Sequence, residues 1–385
     1  MRQLCLLLMV IAAAAAILPA QSHNPILRPP GFEPRFPYSP GVIAGDLVFI
    51  AGQGSRDPKT GRHPETFEAQ VRQAIENMRA VLQAGNMDLG NLASCHVYLD
   101  DLGNYGRMNA VYGEMMKAGS PVRTTIAVPA LPDESHVEIT CVAARDAGLK
   151  KPVYRDNKPP AKPGLFPPGM RVGNWVFTSG AGSRNPATGQ HPEGFPAQVK
   201  QVMETLGEVL KAAGIGFSDV AWANVYLDDA ANIAVADEVY NSYFPGRKPG
   251  RTVSIVKTIP GDSHVEITLL AATPAARFRA VPPGAGAMVD NTLFLSAQSA
   301  PGGSIEEQVR STLEKHKAAL AALKMDMGDV VKAHVYLKDL ADFPRMNAVY
   351  RTFFVKDPPA RTTVQVKQPG SSLSALVEIS LVAFR

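Results

Sequence analysis

Cysteine is scarce in this 385-residue chain, with three in all: Cys5, Cys95 and Cys141. That excludes a disulfide-stapled scaffold, and no Cys/His grouping has the spacing of a metal site. Cys95 and Cys141 each lie in an apolar, strand-like stretch and read as two buried free thiols, although an exported chain would be permitted a disulfide. An excess of one charge is also lacking. Lys and Arg number 39 against 35 Asp and Glu, a net +4 with no dense basic run. Without an aromatic-basic strip the sequence disfavours a nucleic-acid surface, and with it a ribonuclease. Long apolar runs are missing apart from one near the N-terminus, so no other segment reads as transmembrane.

That run is Leu4–Leu18, preceded by Arg2 and followed by Pro19 and Ala20 before Gln21. At about 15 residues it falls short of the roughly 20 needed to span a bilayer. Positive charge, apolar run and small-residue end together predict a signal peptide over residues 1–20. The expectation is export to the periplasm or extracellular space, with no membrane association after cleavage.

The rest of the chain says the same thing three times. "CHVYLDDL" (Cys95–Leu102), "NVYLDDA" (Asn224–Ala230) and "HVYLKDL" (His334–Leu340) align. Tyr112, Tyr240 and Tyr350 follow at matching offsets, then Arg123, Arg251 and Arg361, then Glu138, Glu266 and Glu378 in "VEITCVA", "VEITLLA" and "VEISLVA". Repeats of this kind fix the architecture. The expected divisions are unit 1 over 21–147, unit 2 over 148–275 and unit 3 over 276–385, joined by Pro-, Gly- and Ala-rich linkers. Unit 2 is the degenerate copy.

Each unit reads as β-β-α-β-α-β-β, an α+β layer with two helices on one sheet face. In unit 1 "GDLVFIAG" predicts a strand, and Val71, Ile75, Met78 and Leu82 mark the buried stripe of a helix over about 65–84, with Gly85 at its C-terminal cap. A second helix is expected over about 105–117, followed by strands "RTTIAV" and "HVEITCVAA". In the last strand Val137, Ile139 and Cys141 alternate inward, while Glu138, Thr140 and Val142 share the other face. A sheet face with an apolar end needs cover, and the equivalent faces of the other two units would supply it around a pseudo-threefold axis.

The motif "NAVY…F…PARTTV…VEI.LVA", preceded by "G(D/N).(V)F.(A/S)G", resembles the RidA family (YjgF-like, also called endoribonuclease L-PSP), three times over nearly the whole mature chain. The resemblance implies a chorismate-mutase-like fold, clefts between neighbouring units, and deamination of reactive enamines and imines such as 2-iminobutanoate to 2-keto acids. It implies no cofactor and no metal, a small imino or keto acid as partner, and no nucleic acid. Here one chain would form a monomeric pseudo-trimer, and the alternative to a deaminase is a protein of the same fold that binds a small carboxylate or a partner without turnover.

The site residues follow from that resemblance and from the chemistry of an imino acid. A carboxylate is held best by the planar fork of an arginine, so Arg123, Arg251 and Arg361 are the expected clamps. Glu138, Glu266 and Glu378, each beside buried apolar residues, are the expected proton-transfer groups. Tyr38 matches the family's N-terminal site tyrosine, where unit 2 has Phe166 and unit 3 Pro283. Asn109 and Asn347 match its asparagine, where unit 2 has Asp237, and Gly52 and Gly180 permit close approach where unit 3 has Ala297. Unit 1 alone keeps the whole set, so the cleft of Arg123 is expected to carry most of the activity, with the order of units around the axis, and so the partner of each arginine, left open by the sequence.

Overall fold

The computed structural model describes residues 23–385 apart from 34, 118, 162, 163 and 301. The signal segment 1–20 lies outside these residues, and among them no helix is long and apolar enough to cross a membrane.

Unit 1 starts with a hairpin, Gly41–Ala44 and Leu47–Ile50, turned at Gly45 with φ +60°, a backbone angle that favours glycine. Thr66 then accepts the Ala69 N–H and starts the helix Phe67–Gln83, whose Val71, Ile75, Met78 and Leu82 are completely buried. The left-handed residue after this helix is Asn86 (φ +57°), one position beyond the expected Gly85. Strand Leu92–Leu99, helix Tyr105–Met115 and strands Val122–Ala127 and Val137–Ala144 complete the unit. Leu92–Leu99 runs parallel to Val122–Ala127 and antiparallel to Val137–Ala144, so the expected order of elements is observed. Units 2 and 3 repeat the plan, and the described residues form three sheets of six, eight and six strands.

Sheet alternation separates two environments. Val137, Ile139 and Cys141 join the helix-side core. The opposite faces meet those of the other units. Phe49, Phe177 and Phe294 share one cluster, and Tyr98, Tyr226 and Tyr336 another with Ile126, Val256 and Val364. Burying each large apolar side chain contributes roughly 1.5–3 kcal/mol, so faces that would be exposed in a lone unit hold the three together.

The seams between units close into a ring. Gly52 N–H donates to Arg361 C=O (3.0 Å), joining unit 1 to unit 3, and Gly180 N–H donates to Arg123 C=O (3.0 Å), joining unit 2 to unit 1. Between units 2 and 3 the pattern changes. The turn after Arg361 is longer than its equivalents, and its Gln368–Pro369 pairs antiparallel with Ser254 and Ile255. Gly370 N–H then donates to Val253 C=O (3.1 Å).

The expectation of two free thiols is corrected. Cys95 and Cys141 are direct cross-strand partners on the helix-facing side, with Cα atoms 4.1 Å apart, and they form a disulfide. Facing positions at that separation lie close enough to bridge. His96 and His334 are strand residues, as expected; both face the central axis.

Candidate active site

Each seam brings the arginine strand of one unit against the glutamate strand of the next. The pairs are Arg123 with Glu266, Arg251 with Glu378, and Arg361 with Glu138, each arginine acting electrostatically on the glutamate named with it. This corrects the expectation built on unit 1. Arg123 does not share a cleft with Tyr38, Gly52 and Glu138; those three face Arg361, because Gly52 is hydrogen-bonded to Arg361 across the seam.

The Arg361 cleft therefore holds the complete set. Tyr38, Gly52 and Glu138 come from unit 1, Asn347 and Arg361 from unit 3. The Arg361 guanidinium lies over the rings of Tyr350 (4.8 Å) and Phe343 (5.6 Å). It is 5% exposed, and its Nη1 has no partner; both amide atoms of the equally buried Asn347 are also unpartnered. Buried polar groups in native proteins are normally satisfied. Arg361 Nη1 and the two Asn347 amide atoms, all in unit 3, mark a place where a ligand's polar atoms would sit. Tyr38 lies within the fields of both Arg361 and Glu138, and burial raises its hydroxyl pKa. Phe32 packs edge-on against Tyr38, and Phe36 against Phe343, so the segment leading to Tyr38 covers this seam.

Glu138 sits where only a glycine fits opposite it: a Cβ on Gly52 would lie 1.8 Å from Glu138 Oε1. Burial pushes its carboxyl up to about 8, against Lys332 and Arg361, whose charges pull it down, and the Thr363 N–H, which donates to it. A carboxyl with such a value can hold or release a proton near neutrality.

The Arg123 cleft is built differently. Arg123 is 2% exposed, with Phe166 of unit 2 stacked on its guanidinium at 4.6 Å. Its Nη2 already donates to Asn109 Oδ1 (2.6 Å) and to the Tyr105 hydroxyl (3.3 Å). Burial pushes Glu266 up to about 8, with Thr125 N–H and Arg123 opposing. A cavity of about 310 Å³ opens here, reached also by Arg155, Arg184 and Gly180. The Arg123 guanidinium lines this cavity and is at the same time packed among the rings of Tyr105, Tyr112 and Phe166.

In the Arg251 cleft the clamp is ion-paired, although its Nη1, like that of Arg361, makes no hydrogen bond. Arg251 Nη1 lies 2.8 Å from the Asp237 carboxylate, the acid standing where the other units have asparagine. Burial again raises Glu378 to about 8, opposed by Arg251 alone. Ala297 takes the glycine position, and Gly370, brought in by the longer turn, approaches instead: a Cβ there would lie 2.9 Å from Glu378 Oε1.

Some residues around the Arg361 cleft carried no signal in the repeats. Asp133 accepts from Arg35 and Arg56 (both 3.2 Å), and the charges of Arg35 and Asp133 reach Tyr38. Lys332 is a buried amine beside Glu138, its pKa lowered by burial to about 7 against the charge of Glu138, which pulls it up, and its one mark in the sequence is a lysine inside an apolar strand. Elsewhere His23, Asp326 and Asp329 bring three ligand-type atoms within 4.8 Å, but both carboxylates cap the turn at Met327–Asp329.

A family model described as Endoribonuclease L-PSP matches residues 30–145, 157–273 and 285–385. The chain belongs to the endoribonuclease L-PSP family. Relatives in this family match one unit at a time. A RutC family protein of Pyrococcus horikoshii is 36% identical over 30% of this chain and 91% of its own. The 2-iminobutanoate/2-iminopropanoate deaminase of Salmonella typhimurium is 35% identical over 28% of this chain and 88% of its own. Among solved structures, E. coli TdcF with bound serine is 31% identical, covering 32% of this chain and 98% of its own with a TM-score of 0.29.

Proposed function

We propose that the chain is an imine deaminase that hydrolyses 2-imino acids to 2-keto acids and ammonia, and that the Arg361 cleft is its reacting site. The observation that carries this reading is the convergence of Tyr38, Gly52, Glu138, Asn347 and Arg361 at one seam, with Arg361 Nη1 and the Asn347 amide buried and unpartnered. The deaminase names of two single-unit relatives support the reaction class.

In this reading the substrate carboxylate takes the free edge of Arg361 and the Asn347 amide. The imine carbon then lies toward Glu138. Ionised Glu138 takes a proton from a water as its oxygen attacks the C=N carbon, giving a carbinolamine. With the imine entering protonated, the carboxylic acid so formed returns its proton to the amine nitrogen; the C–N bond breaks, Glu138 takes the hydroxyl proton as the C=O bond forms, and that proton leaves with ammonia as ammonium. Tyr38, between Arg361 and Glu138, orients the water. A carboxyl poised near neutrality suits this double role, and no cofactor is needed. The Arg123 and Arg251 clefts are secondary, because Arg123 Nη2 already donates to Asn109 and Tyr105, and Asp237 sets a fixed carboxylate 2.8 Å from Arg251 Nη1, where it repels a substrate carboxylate.

We also propose that the mature protein starts near Gln21 outside the cytoplasm and works as a single chain. The deciding experiment offers freshly generated 2-imino acids of several side-chain sizes to purified mature protein and follows keto-acid release. Release above the spontaneous rate is expected. None from any of them would leave a carboxylate-binding protein without turnover.

A further inference from the structure

At one level along the axis-facing strands stand Ser94, Trp222 and Lys332, equivalent by register: they pair with Val122, Gly250 and Ala360. Lys332 is 3% exposed. A buried ammonium is costly unless its three N–H bonds find acceptors. Here all three do: Ile50 C=O at 2.8 Å, Thr140 Oγ1 at 2.7 Å and Thr362 Oγ1 at 2.8 Å.

The position of those acceptors gives the contact its meaning. Ile50 ends the strand that leads to Gly52. Thr140 stands two residues from Glu138 on the same strand face. Thr362 follows Arg361. One side chain of unit 3 thus joins the three backbone segments that deliver the Arg361 cleft, two of them in unit 1. The seam between units 1 and 2 uses a neutral pair at this level, Thr124 Oγ1 meeting Thr268 Oγ1 at 2.6 Å, and in unit 2 Thr252 Oγ1 donates within its own sheet to Asn224 Oδ1 at 2.9 Å.

We propose that Lys332 is a positioning residue for the Arg361 cleft, its ammonium clamping together the strands that carry Gly52, Glu138 and Arg361 and supplying Glu138 with a second cation. Glu266 and Glu378 each face one arginine, whereas Glu138 faces Arg361 and Lys332. The other groups around the pair are Tyr38 and Tyr98, which feel Glu138, and His96 and His334, which burial and Lys332 keep neutral. Burial lowers the pKa of Lys332 and the charge of Glu138 raises it, so the two groups support each other's ionised forms.

The inference rests on the Arg361 cleft being the reacting one, so its test includes a readout that needs no turnover. Mature protein labelled with carboxyl-13C glutamate is titrated by NMR, with Glu138→Gln assigning the resonance. Lys332→Met keeps the aliphatic volume and removes the charge; Lys332→Gln keeps a donor. The Glu138 midpoint in Lys332→Met is expected to rise by roughly half a pH unit or more, with Glu266 unmoved and Lys332→Gln between parent and Met. With 2-iminobutanoate kcat should fall about tenfold while KM stays within about twofold, since Lys332 does not touch the clamp. A folded variant with an unmoved Glu138 midpoint overturns the proposal, even if it melts earlier. A parent without turnover sinks the deaminase reading alone, and the midpoint still decides Lys332. Should both variants fail to fold, Thr140→Val and Thr362→Val remove one acceptor each and are judged by the same midpoint.

Discussion

Replacing Arg361 by methionine tests the assignment of the reacting seam most directly. Methionine keeps an unbranched apolar stem between Tyr350 and Phe343, so the aromatic packing largely survives, while the fork is lost. A hydrogen bond to a charged group contributes roughly 1.5–3 kcal/mol, which corresponds to about a ten- to hundredfold fall in kcat/KM. A second effect adds to it. Glu138 loses one of the two cations that oppose its burial, so its carboxyl moves further up and less of it is ionised at neutral pH. Arg251→Met should cost about twofold or less, since Asp237 already occupies that arginine and repels a substrate carboxylate. Arg123→Met should fall between the two. The assay is keto-acid release from freshly generated 2-iminobutanoate, with circular dichroism confirming the fold of each variant. A loss in Arg123→Met equal to that in Arg361→Met, or an Arg361→Met enzyme above half the parental kcat/KM, would refute the seam assignment.

Four further outcomes are expected. Tyr38→Phe gives the Arg361 cleft the aromatic of the Arg123 cleft and should lower kcat about threefold to thirtyfold with little change in KM, measured by the same assay. Glu266 has a folded pKa raised from 4.5 to about 8, so its stability contribution is full below 4.5 and is lost as pH rises toward 8; Glu266→Gln should flatten the stability-versus-pH slope in that window by up to about 1.4 kcal/mol per pH unit, read from urea midpoints, and an unchanged slope contradicts the shift. Removing the Cys95–Cys141 bond by a double alanine substitution opens a loop of 46 residues and should cost roughly 2–4 kcal/mol, seen as a lower urea midpoint. Native mass spectrometry of secreted protein should show a monomer of about 39 kDa, the 41.2 kDa chain less about 2 kDa of signal, with Gln21 at or near its N-terminus; a trimer of chains, or a product starting at Met1, contradicts these expectations.

The repeat, the order of elements and the strands bearing Arg and Glu were legible because sheet and helix periods are local properties of the chain. The composition of each cleft was not. It depends on which unit's glycine strand pairs with which arginine strand, a contact between residues 309 positions apart for Gly52 and Arg361 (361 − 52). Grouping residues by unit therefore credited Arg123 with partners that belong to Arg361. The Cys95–Cys141 bond was missed for a related reason: two apolar strands were visible, but their register was not. The two extra residues between Arg361 and Glu378 were visible as a longer turn. That the turn crosses to pair with Ser254 and Ile255 became apparent only in three dimensions.

Lys332 bears on why three units share one chain. In a ring of identical subunits, a lysine at this level would place three ammonium groups around one axis in a medium of low polarity, where like charges repel far more strongly than in water. Covalent linkage removes that constraint. Ser94 and Trp222 fill the two sister positions, and a single ammonium remains, on the seam that holds the complete residue set. Any mutation in a homotrimer alters three interfaces at once, whereas here each interface can drift alone. The fusion thus gives access to a charged internal arrangement that threefold symmetry would penalise.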